Sequence, residues 1–95
     1  MNRNMIEECL LMLHCDQNED QFVPPEGKLL GLLIHSGGAP WVIEGIRSIT
    51  LFEKLVRVET KQETYFFQSE SVLAVKAKED SQNGTTGFRS AGFGR

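Results

Sequence analysis

The chain has 95 residues, a formal net charge of −3 and an apolar content of 40%. That length holds one domain with a modest core, and no apolar run reaches the ~18 residues of a membrane-crossing helix. Glu7 and Glu8 sit among the first apolar residues with no Ala-x-Ala site, which argues against a signal peptide, and with only Cys9 and Cys15 present no disulfide framework is expected and the cytoplasm is the expected compartment.

Charge is spread unevenly. Residues 1–27 hold one basic and six acidic side chains, and residues 28–78 hold seven basic and five acidic ones. Nucleic-acid binders usually carry a strong basic excess, which this chain lacks.

Asn4 to about His14 reads as a helix. Asn4 can cap it, with Glu7 three residues on. Ile6, Leu10 and Leu13, joined by Cys9, form one apolar stripe at i, i+3, i+4 and i+7, and Leu11 and Met12 widen it. The segment 1–15 is therefore expected to dock, on the domain or on a second copy, because ten residues of helix do not hold alone in water.

Residues 16–27, DQNEDQFVPPEG, read as an acidic linker stiffened by Pro24-Pro25, with Phe22 and Val23 able to tuck against the body. Lys28 to His35 is an apolar run read as a strand, although its leucines also suit a helix. Ser36 to Pro40 is a turn. Trp41 to Phe52 forms the next strand, with Gly45 as a bulge or sharp bend. Glu53-Lys54 is a tight turn.

Leu55 to Ala77 is the organising stretch. Val56 and Val58 alternate with Leu55, Arg57 and Glu59, the pattern of a half-buried strand. Thr64 to Phe67 is aromatic and β-branched, a second strand. With Lys61-Gln62 as the loop, or a slightly longer one, Val58 pairs with Tyr65 and Val56 with Phe67. All four share one face, and Arg57, Glu59, Thr64 and Phe66 share the other; a one-residue slip would oppose Phe67 to Arg57. Gln68 to Ser71 makes one turn of chain before a last strand, Val72 to Ala77. Residues 79–95, rich in Gly, Ser and Thr, read as a disordered tail. The expected fold is mainly β with an N-terminal α-helix: a small five-stranded antiparallel barrel over residues 28–78.

That order of elements resembles Sm-like proteins, and Tyr65-Phe66-Phe67-Gln68-Ser69-Glu70-Ser71-Val72-Leu73-Ala74-Val75 is similar to the second Sm motif of their bacterial RNA-chaperone branch. Gly45 stands roughly where that family bends its second strand. SH3-like barrels share much of the pattern. Phe67 and Gln68 stand where the family has Lys-His, no Asp-Asn follows the first hairpin, and no Arg-Gly lies near the last strands. The resemblance therefore implies the fold and a ring-forming habit, without the family's uridine-contacting chemistry.

Chemistry is sparse. Cys9, His14 and Cys15 lack the C-x₂₋₄-C spacing of zinc sites. Asp16-x-Asn18-x-Asp20 opens like a calcium loop, but Gln21 and Gly27 occupy the positions that need Gly and Glu. No nucleophile motif accompanies His14 or His35. No metal, cofactor or catalytic residue is expected. A protein-binding surface is, with Trp41 as anchor and Ile6, Leu10 and Leu13 on the helix, though Trp41 equally suits the core. Edge strands such as Lys28–His35 would favour a homo-oligomer. The alternative function is single-stranded RNA binding, with Arg47, Lys54, Arg57 and Lys61 beside Phe66, although Glu53, Glu59 and Glu63 among them equally suit a solvated charged face.

Overall fold

A computed structural model describes residues 1–79. It contains α1 (Arg3–Met12), β1 (Asp16–Asn18), β2 (Gln21–Val23), β3 (Lys28–Ile34), β4 (Trp41–Leu51), β5 (Leu55–Thr60), β6 (Thr64–Gln68), a 3₁₀ turn (Ser69–Ser71) and β7 (Val72–Glu79). The described residues are mainly β with one N-terminal helix, as expected, but they form seven strands rather than five. All but the first residue of the expected tail lie outside the described residues.

All strand pairs are antiparallel. The long strand β4 is the spine. One edge pairs with β3 through Trp41 to Ile46 and then with β2 through Ile49 and Thr50. Its other edge pairs with β5 through Ile46 to Leu51. One strand can serve three partners because it bends at Gly45, whose φ of +70° is left-handed backbone that glycine adopts without cost. The ladder shifts register on both sides of that point. β6 extends the sheet beyond β5, and β7 extends it beyond β3. Among the described residues β6 and β7 do not pair with each other, so hydrogen bonds do not close the sheet.

Three expectations change. Residues 16–27 carry the β1–β2 hairpin, and Phe22 is fully buried against the sheet. There β2 is held by pairing with β4, and β1 by pairing with β2, rather than by their own propensity. Second, β3 is no edge: it lies between β4 and β7. Third, α1 begins one residue earlier and is capped by Asn2, whose side-chain oxygen accepts the Met5 N–H at 2.9 Å.

The core gathers Ile6 and Leu10 from α1, Phe22 from β2, Leu30, Leu32 and Ile34 from β3, Ile43, Ile46, Ile49 and Leu51 of β4, Val56 and Val58 of β5, and Val72. Leu13, Tyr65, Phe67, Val75 and Ala77 pack against its margin. Ile6 and Leu10 are fully buried within the chain's own core. They are therefore unavailable for a partner, which corrects the expectation that they form a docking face; Leu13 is half-buried beside them.

Candidate functional site

The β5–β6 hairpin forms in the register its sequence implies: Val56↔Phe67, Arg57↔Phe66, Val58↔Tyr65 and Glu59↔Thr64. Thr60 makes the tight loop workable without glycine. Its N–H donates to the Glu63 carbonyl at 2.8 Å. Its hydroxyl oxygen accepts the N–H groups of Gln62 at 3.3 Å and Glu63 at 3.0 Å.

At the other end of the hairpin the Ser69 N–H donates to the Lys54 carbonyl at 2.9 Å. Hydrogen-bonded pairs alternate along an antiparallel ladder. Thr60/Glu63 and Lys54/Ser69 therefore set Val58/Tyr65 and Val56/Phe67 as the bonded pairs between them. The backbone groups of Thr64, Phe66 and Gln68 then point away from β5, toward the side where β6 has no neighbour among the described residues. Among described strands longer than three residues, β6 alone carries no charge.

Aromatic side chains flank that edge on both faces. On the inner face, Tyr65 and Phe67 stack with centroids 5.8 Å apart. Trp41 meets each of them edge-on at 5.6 Å. Trp41 is 45% exposed, which places it at the surface rather than in the core. The Tyr65 hydroxyl donates to the Glu63 carboxylate, and this bond raises the phenol pKa above its ordinary value. On the outer face Phe66 is 60% exposed.

Arg57 lies opposite Phe66, and its guanidinium sits 5.7 Å from the centroid of the Phe52 ring. Its Nη2 donates to Thr50 Oγ1 at 3.4 Å. Its Nε lies 3.4 Å from Glu59 Oε2, an ion pair without hydrogen-bond geometry. The other expected cations are not gathered around it. Arg47 is exposed on the irregular part of β4. Lys54 lines a recess of about 600 Å³ beside Asn2 and Leu55, Arg57 one of about 330 Å³ beside Thr50, and Lys61 one of about 310 Å³ beside Trp41 and Tyr65. Lys54 and Lys61 stand at opposite ends of β5, roughly 20 Å apart at strand rise. Glu53, Glu59 and Glu63 are interspersed among them.

Cys9 and Cys15 are both free thiols. Burial, with Asp16 adding to it, raises the Cys15 pKa and keeps that thiol protonated. Among the described residues no group of three His, Cys, Asp or Glu side chains could hold a metal ion. No described helix is long and apolar enough to cross a membrane.

Sequence reasoning picked out Phe66 and Trp41 but missed Thr64 and Gln68. The signal for them was the absence of charge in a strand that ends up on an edge. No family model, curated protein or solved structure matches the chain.

Proposed function

We propose that the chain is a non-catalytic interaction and assembly module, a small barrel of the SH3/Sm-like kind that associates with copies of itself. The observation that carries this reading is the edge of β6 that no described strand covers. An unpaired strand edge invites another strand, and folded proteins usually guard such edges with charge, proline or a bulge. Thr64-Tyr65-Phe66-Phe67-Gln68 has none of these guards. Strand addition would supply partners for its outward backbone groups and cover aromatic surface on both faces.

The reading is tested at Gln68. Its φ of −67° already suits proline, and its N–H faces the open edge rather than β5. Gln68→Pro leaves the hairpin ladder intact and removes one donor from the edge. On this reading the variant folds and associates less than the parent chain; unchanged association would remove β6 from the interface.

Phe66, Arg57 and Phe52 favour a second reading, single-stranded nucleic acid on the outer face. A guanidinium beside exposed rings suits base stacking. Against it stand the dispersal of the other cations and the pairing of Arg57 with Glu59.

A further inference from the structure

We infer that the partner of β6 is β6 of a second copy, joined antiparallel about a twofold axis through Phe66. This rests on the self-association reading and specifies its geometry.

The two candidate edges differ in protection. β7, the other long outer strand, carries Lys76 and Lys78, and lysines on an edge are a common guard against pairing. A closed ring or an open filament needs two different edges to meet, whereas a twofold dimer uses one edge twice. Of the described outer strands, β1 carries Asp16 and only β6 is free of charge, so pairing it with itself brings the unguarded edge onto the unguarded edge.

The parity of the ladder fits. Thr64, Phe66 and Gln68 present outward N–H and C=O groups. An antiparallel pairing centred on Phe66 sets Thr64 against Gln68 of the second copy, Phe66 against Phe66, and Gln68 against Thr64. Each is then a hydrogen-bonded pair, and all five residues of the strand are used. Moving the axis to Tyr65 or Phe67 keeps the parity but shortens the ladder.

The faces fit as well. In this register the outer face brings two Phe66 rings together. The inner face sets each Tyr65 against Phe67 of the second copy, in the closer, non-hydrogen-bonded type of pair. Aromatic side chains thus meet aromatic side chains on both sides of the seam, while Glu63 and Glu70 fall beyond its ends.

The test is disulfide trapping in the full chain. Residues opposite one another in a bonded pair have Cα atoms about 5.5 Å apart, inside the ~4.4–6.8 Å a disulfide spans. Phe66 is exposed, so Phe66→Cys leaves the core intact. On mild air oxidation most of Phe66→Cys is expected to become a covalent dimer linked 66 to 66, which peptide mapping separates from any link through Cys9. Thr64→Cys alone should not link to itself, but an equal mixture of Thr64→Cys and Gln68→Cys should yield the mixed dimer. If the unmodified chain is multimeric while Phe66→Cys does not self-link, the twofold geometry is overturned and self-association stands. If the unmodified chain is monomeric at every concentration, the self-association reading fails, and this one fails with it.

Discussion

Lys76 reaches across a whole strand to Glu44. Its Nζ lies 2.9 Å from Glu44 Oε2, although Lys76 is on β7, Glu44 is on β4, and β3 runs between them. The crossing is possible because Gly31 is the residue of β3 opposite Lys76. A Cβ built on Gly31 would stand 2.9 Å from Lys76 Cε, 3.1 Å from its Cγ and 3.3 Å from the Ile43 carbonyl oxygen. The absence of a side chain on β3 is what lets the lysine chain cross to Glu44 on the outer face, over strands that the backbone ladders hold together.

Substitution at Gly31 should therefore displace a lysine before it strains the backbone. Gly31→Ala is expected to cost ~1 kcal/mol or less, since the lysine chain can swing aside. Gly31→Val should cost ~1–3 kcal/mol, because the Ile43 carbonyl cannot follow. Urea unfolding of both variants, alone and with Lys76→Ala, checks this. Removing the lysine should recover part of the loss in Gly31→Ala, and no recovery would mean that Lys76 does not depend on the glycine.

The Glu44 pair carries a pH signature. The hydrogen bond from Lys76, then the charges of Lys76 and Lys78, hold the Glu44 carboxyl below its ordinary pKa. A lowered folded-state value means stabilisation that is present above the ordinary glutamate range and lost as pH falls through the lowered one. Glu44→Gln should unfold at lower urea than the parent at neutral pH and at the same urea in acid below the carboxylate range. The gap should also shrink in high salt, because the pair is on the surface. A gap that persists in acid would contradict the pairing.

The β1–β2 hairpin is part of the core rather than a tether. Phe22 is fully buried, and its neighbour Val23 is 41% exposed. Phe22→Ala is expected to cost ~3–5 kcal/mol, enough to unfold much of a marginal domain. Val23→Ala should change stability by no more than ~0.5 kcal/mol. Equal, small effects at both positions would return the segment to the status of a linker.

The outer face can be separated from the edge by Arg57. Arg57→Ala removes the cation beside the Phe52 ring and across the ladder from Phe66, and leaves the β6 backbone edge in place. On the assembly reading this variant keeps its association, and the parent chain shows no steeply salt-dependent binding to single-stranded RNA. Fluorescence anisotropy across a salt series decides it. Tight binding that falls steeply with salt and is lost in Arg57→Ala would put the nucleic-acid reading ahead.

Local patterning made the β5–β6 hairpin legible down to its register, because two alternating runs flank a short polar loop and a slip would put arginine against phenylalanine in the interior. The bend at Gly45 was legible for the same local reason. The place of Lys28–Ile34 in the sheet was not, because whether a strand is central or on an edge depends on partners far away in sequence. Asp16 to Val23 reads as linker because its residues disfavour strands, and the burial of the single Phe22 is set by β4. Asn2 and Asn4 are equally good caps on composition, and geometry selects Asn2. At the surface, composition marked the cations but not their separation: Lys54 and Lys61 are close in sequence and lie at opposite ends of one extended strand.

The proposed working form of the chain is a self-associated one, joined through the β6 edge that no described strand covers. Its most direct test is the molar mass in solution, by size exclusion with light scattering, of the unmodified 95-residue chain at two concentrations. The expected result is a mass above that of the 10.7 kDa monomer, an even-numbered species if the twofold edge is used, rising with concentration if association is weak. A strict monomer at both concentrations would contradict the claim and leave the β6 edge as a site for a different partner.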